Sequence, residues 1–168
     1  MSKHKNKFNE VLDFFYIVSL LFVVSGALIL GAIVAPVVFN SSLYLNEIFL
    51  TRFDNGLLMS EIFRRFSIVL NIVLLFVTLY HTYKYKQFLS SFSTIVFYVI
   101  FAISSLLFSF YFTEGVMSFI YKGELWINEN IELFEAFHKA SEIDFAIIMI
   151  SALMLAINAY KKRFDTIN

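Results

Sequence analysis

The chain has 168 residues, with 13 basic and 13 acidic side chains, 60% apolar residues, 22 phenylalanines and no cysteine. Zero net charge removes the basic surface that nucleic acid requires, and the lack of cysteine removes disulfides, thiol catalysis, iron–sulfur ligation and cysteine zinc sites. Only 15% of the residues are charged, and they cluster, which leaves uncharged runs long enough to cross a bilayer.

Met1 to Glu10 is polar and basic through Lys3, Lys5 and Lys7. The apolar run that follows, from about Val11 to Phe39, exceeds the roughly 20 residues that span a membrane, so a tilted first helix is expected. It continues past the small residues Ser25 to Ala27 and reads as an uncleaved anchor. Within it, Ala27, Gly31 and Ala35 recur every four residues, a spacing that predicts a close-packed seam against another helix. Pro36, the only proline, lacks an amide hydrogen, so the helix should bend or end there.

Asn40 to Ser60 reads as a loop, with Leu43, Tyr44, Leu45, Ile48 and Phe49 available for a short interfacial helix. The second helix is expected over about 61–81. Its Arg64, Ser67, Asn71, Thr78 and His81 share one face, readable as interhelical hydrogen bonds or as a polar track interrupted by Leu74 and Leu75. A short turn holding Lys84 and Lys86 leads to the third helix, over about 88–113, where Ala102, Ser105 and Ser109 form a packing face. Glu114 follows. A polar connection from Gly115 to Glu135 carries Trp126, expected at the membrane interface. The fourth helix, over about 136–160, has Ala152, Ala156 and Ala159 on one face and stops at Lys161, Lys162 and Arg163.

The expected fold is therefore all-α: a single four-helix transmembrane domain over residues 1–168, embedded in lipid. The lysines and arginines place both termini in the cytoplasm, in a bacterial cytoplasmic (inner) membrane. A second membrane protein or a second copy of the chain is the kind of partner such a bundle takes.

The polar residues of the spans are the functional handle, since a charge in lipid usually faces the bundle or water. A rise of about 1.5 Å per residue brings Pro36, Arg64, Arg65, Glu114, His138, Glu142 and Asp144 to one outer layer. That layer reads either as a small polar pocket open to the outside or as headgroup anchoring. Glu142 and Asp144 point to nearly opposite sides of the helix, and Glu142 shares a face with His138, Ala146 and Met149. The expectation is that Glu142 faces inward and pairs with Arg64. His138 with Glu142 gives two potential metal ligands one turn apart, too few for a tight site. His138, Ser141 and Asp144 follow one another along a single helix and lack the geometry of a nucleophile with its base, so no catalytic residue is assigned.

Gly31…Ala35-Pro36…Phe39, then Gly56…Phe63, then Phe137-His138-Lys139-Ala140-Ser141 resembles a group of four-helix membrane proteins. It is the transmembrane protein 205-like group, domain of unknown function 4149. That group is distantly similar to copper-resistance D proteins and haem-dependent membrane protoporphyrinogen oxidases. The resemblance implies haem as an alternative cofactor, with His138 as its candidate ligand. His81 is expected at the cytoplasmic side and His138 near the outer face, about 30 Å apart, too far to share one iron. The leading reading is a non-enzymatic membrane protein with a structural, accessory or small-solute transport-related role. The alternative is a haem- or metal-binding membrane redox protein.

Overall fold

A computed structural model describes residues 2–45, 50–86 and 91–165. All regular elements among them are helical, and they form four long rods. The first rod is α1 (Ser2–Ile29), a π turn (Leu30–Val34) and α2 (Ala35–Phe39). The second is α3 (Arg52–Lys86). The third is α4 (Phe92–Leu107), a second π turn (Phe108–Phe112) and α5 (Thr113–Tyr121). A short α6 (Glu124–Glu129) leads to the fourth rod, α7 (Ile131–Asp165). Each rod is long and apolar enough to cross a membrane.

The rods outrun the helices expected from hydropathy. Arg52–Ser60, read as loop, is the first part of α3, and His81–Lys86, read as turn, is its last part. Gly115–Tyr121 and Ile131–Glu135, read as connection, are also helical. Lipid solvation requires apolar residues only where the helix is immersed; backbone hydrogen bonding continues into polar tails outside that zone. Local caps then set the ends. Asp54 accepts from the Thr51 amide and hydroxyl before the first turns of α3. The Ser91 hydroxyl accepts from the Thr94 amide at the start of α4. Gly123, at φ 92°, makes the left-handed turn between α5 and α6 that a side chain would resist. A 3₁₀ turn, Ser41–Leu43, occupies part of the expected interfacial segment; Ile48, Phe49 and Gln87 lie outside the described residues.

Pro36 neither ends nor sharply breaks the first rod. The preceding turn widens instead: the Ala35 amide donates to the Leu30 carbonyl, five residues back. The helix ends at Phe39, where Asn40 returns its amide and side-chain nitrogen to the Pro36 carbonyl at 3.1 and 2.7 Å. The second π turn has the same five-residue bond, Thr113 to Phe108, reinforced by the Thr113 hydroxyl on the same carbonyl at 2.8 Å.

The core is a column of Tyr16, Leu20, Val23, Leu70, Val77, Phe101, Phe108, Ile148 and Leu155. Toward the α2–α3 end, hereafter the far end, Phe63, Phe66, Phe108 and Phe145 form an aromatic cluster with centroids 4.9–6.0 Å apart. The crowded glycines are not the one in the expected seam. A Cβ on Gly26 would lie 3.0 Å from Phe66, and one on Gly115 would collide with the Phe137 ring.

Candidate functional site

At the end holding the α1 N-terminus and the α3 C-terminus, hereafter the terminal end, polar side chains from three rods converge. Asp13, the sole charge of the first apolar run, lies 2.7 Å from Lys84 Nζ. The same carboxyl oxygen accepts from the Tyr80 hydroxyl at 2.9 Å. Tyr16 stacks on Tyr80, with centroids 3.8 Å apart, and its hydroxyl shares a 2.9 Å hydrogen bond with His81 Nε2. His81 in turn stacks on Tyr98, whose hydroxyl donates to Thr78 at 3.2 Å. Tyr83 donates to Asn9 at 3.0 Å. Hydrogen bonds and an ion pair tie α1 to α3, one hydrogen bond ties α3 to α4, and the Tyr16–Tyr80 and Tyr98–His81 stacks lie between them, so polar and aromatic contacts cross-link three rods inside an apolar bundle.

A second polar group lies nearer mid-bundle. Asp144 is 7% exposed. Asp144 Oδ2 has no hydrogen-bond partner among the described residues. Ser105 Oγ, Ser109 Oγ and Asn71 Oδ1 are likewise buried without one. Ser105 on α4 and Ser109 in the second π turn are both buried, as their spacing predicts. Buried polar atoms are otherwise almost always paired, so these four oxygens, together with Asn158 Nδ2, are a distinctive feature.

The expected outer layer comes together only in part: Arg64 on α3 lies within electrostatic reach of Glu114 on α5. Arg64 and Arg65 both fold back onto Glu61 in their own helix, at 2.7 and 2.9 Å. The Arg64–Glu142 pair is therefore corrected: three- and four-residue spacing lets Glu61 satisfy both guanidiniums without crossing to α7. Glu142 is also not the inward residue. Its side chain is 65% exposed and faces His138 at 3.4 Å, while Asp144 occupies the interior. The inward stripe of α7 is Ser141, Asp144, Ile148, Ser151, Ala152, Leu155 and Ala156, and small polar residues belong to it as much as alanines do. Glu114 is exposed on α5. Of the six residues expected in one pocket, His138 and Glu142 are the pair that comes within ion-pairing distance.

The seam also departs from expectation. Ala27 is buried and Ala35 half-buried, but Gly31 and Pro36 are exposed, and a Cβ on Gly31 would meet nothing within 4 Å among the described residues. Gly31 lies in the π turn, where the wider ring breaks the four-residue repeat. It lines an open groove of about 290 Å³ between the first and fourth rods, with Ala27, Ala146 and Met149, and Glu142 at its rim.

The histidines do not fit a haem held between two imidazoles. His81 Nε2 is engaged by Tyr16 inside the terminal-end network, and His138 faces Glu142 on the opposite part of α7. Among the described residues there is no group of three metal-ligating side chains. Trp126 stacks on Phe119 at 5.4 Å, with Lys122 Nζ 4.0 Å above its ring, an amphipathic arrangement at the far end.

A family model, Domain of unknown function (DUF4149), matches residues 18–123. The chain belongs to this family. No curated protein and no solved structure matches it. The DUF4149 match takes in Asn71, Tyr80, His81, Lys84, Tyr98, Ser105 and Ser109, whereas Asp13, Tyr16 and Asp144 lie outside it. In this DUF4149 protein the terminal-end network is hidden from a hydropathy reading, which puts His81 and Lys84 at the edge of a solvated turn. A signal exists nonetheless: a lone acid such as Asp13 in a membrane span calls for a buried partner.

Proposed function

We propose that this DUF4149 protein is a non-enzymatic, transport-related membrane protein in which Asp144 takes up a proton or a small cationic solute. The observation that supports this is the Asp144 carboxyl itself, buried in the membrane-spanning part of α7 with one oxygen unpartnered among the described residues. A charged residue at mid-helix costs about 3 kcal/mol on insertion scales and commonly marks an ion or proton path. A purely structural or accessory role uses the same bundle but supplies no reason for an unpartnered carboxyl oxygen. The likeness to transmembrane protein 205-like proteins and the bacterial inner membrane belong to this reading, as do cytoplasmic termini. Cysteines placed at Ser42 and Asn128 should label with an impermeant reagent in intact cells, and one at Gln87 should not.

The test is flux. Purified protein in liposomes, with a trapped pH dye and radioactive sodium in parallel assays, should pass one of the two ions under an imposed potential. Asp144→Asn should abolish that passage. No flux in the wild type, or equal flux in the variant, overturns the proposal. A Soret band in the purified protein, lost in His138→Ala, would replace it with the haem-binding reading.

A further inference from the structure

The groove between the first and fourth rods is lined by Leu28, Gly31, Ala32 and Glu142, all exposed, so it opens on the outer surface of the bundle. In a membrane that surface meets lipid. The fourth rod begins beside α5 at the far end, where Phe119 meets Phe134 and Phe137, and runs back to the terminal end. The two walls are therefore antiparallel. Gly31 and Glu142 lie toward the far end of their walls, and Ala27 and Met149 lie deeper. The rise from Glu142 to Met149 is about 10 Å. Spread over that length, a groove of about 290 Å³ has a cross-section of about 30 Å², against about 80 Å² for a helix 10 Å across. It admits one extended chain and not a helix.

Charge fixes the depth. No residue from Phe145 to Tyr160 is charged, and Lys161 follows. The rise from Glu142 to Lys161 is about 28 Å, close to the roughly 30 Å of a hydrocarbon layer. With Lys161 at one edge of that layer, Glu142 stands at the other, level with the headgroups, and the groove runs inward from it. Glu142 is the charged member of the lining, and its side chain is 65% exposed. His138 Nε2 lies 3.4 Å from it. Lys139, exposed three residues before Glu142, is a neighbour on the same helix surface and adds a positive charge at the rim.

We propose that this groove holds one acyl chain of a phospholipid whose headgroup carries a primary amine. The ammonium sits on Glu142 and the phosphate lies toward Lys139. A carboxylate only accepts hydrogen bonds, and a primary ammonium has three N–H donors to give it, as lysine does. A quaternary ammonium has none. A rim with one negative and one positive side chain matches a headgroup that carries both charges. The site is separate from Asp144, which is buried on another face of α7, so neither assignment stands on the other.

The experiment is native mass spectrometry of the full chain in detergent, titrated with ethanolamine- or choline-headgroup phospholipid of identical acyl chains. One ethanolamine lipid per chain is expected, bound about tenfold more tightly than the choline lipid. Glu142→Gln should bring the two lipids to equal affinity. Gly31→Leu should fill the groove and lose both. A Cβ at Gly31 meets nothing within 4 Å among the described residues, so this variant should fold, and its melting temperature checks that. Ethanolamine lipid should raise the melting temperature of the wild type, as any ligand of the folded state does, and leave that of Gly31→Leu unchanged. Equal affinity for the two headgroups in the wild type, or a preference that survives Glu142→Gln, overturns the proposal. So does lipid binding that Gly31→Leu leaves intact. A lipid-free dimer that Gly31→Leu dissociates would overturn it too, and would make the groove a contact between copies of the chain.

Discussion

The two ends of the bundle use charge in opposite ways. At the terminal end, Asp13 and Lys84 are 71 positions apart in sequence and 2.7 Å apart in space, and Lys84 is buried. At the far end, Arg64 and Arg65 reach a glutamate in their own helix and remain exposed. The first arrangement ties α1 to α3; the second stabilises one stretch of α3 and ties nothing together. Ion pairs hold a membrane bundle when they cross between helices out of water. The more numerous charges at the far end are, by this measure, the less structural ones.

That contrast can be broken at either end. The largest effect should follow Asp13→Ala, which strands the buried Lys84 ammonium and removes the acceptor of Tyr80. Since Asp13 is partly exposed, the loss should be about 2–4 kcal/mol, read as a fall in melting temperature in detergent. Lys84→Met in the same background should recover part of it; no recovery would mean the pair is not the linking element. Next comes Gly115→Leu, which pushes α5 off Phe137 at a cost of about 1–3 kcal/mol, by the same measurement. Tyr16→Phe removes one buried hydrogen bond to His81 and keeps the stack on Tyr80, so about 1 kcal/mol is expected. At the small end, Arg65→Ala and Gly31→Leu should leave the melting temperature of the isolated chain unchanged. The first breaks a local exposed pair, and the second puts its side chain into open groove. A drop in either that matches Asp13→Ala would erase the distinction between the two ends.

The four spans are legible because an uncharged apolar run of membrane length is hard to bury anywhere but in lipid. Their ends are not, because Arg52–Ser60 and His81–Lys86 are helical on backbone grounds that hydropathy does not register. The inward face of α7 is illegible for a different reason. In water, one polar stripe tells a reader which way a helix turns. In lipid, the outside is as apolar as the core, so Ile143, Ile147 and Ile150 outside resemble Ile148 and Leu155 inside. With that signal gone, alanine spacing favours Glu142, although the serines at 141 and 151 mark the true face with Asp144. The π turn at Leu30–Val34 hides the fate of Gly31 similarly, since a four-residue repeat assumes an unbroken α-helix.

The Asp13–Lys84 contact also constrains the order in which the chain can be assembled. During synthesis α1 is made first, and Asp13 must wait in or beside the bilayer until the last turns of α3 emerge. Chains fold from their N-terminal parts as they are made, so the earliest durable contact available is a hairpin of the first two rods, closed at its base by this pair. Tyr80 and Tyr83 emerge immediately before Lys84 and add bonds to Asp13 and Asn9 on the same helix. The hairpin presents Tyr16 and His81 as a finished edge against which Tyr98, on the third rod, can dock when it arrives. A defect at Asp13 should therefore be visible to the insertion machinery before α4 and α7 exist, as a nascent chain whose first two helices remain separable.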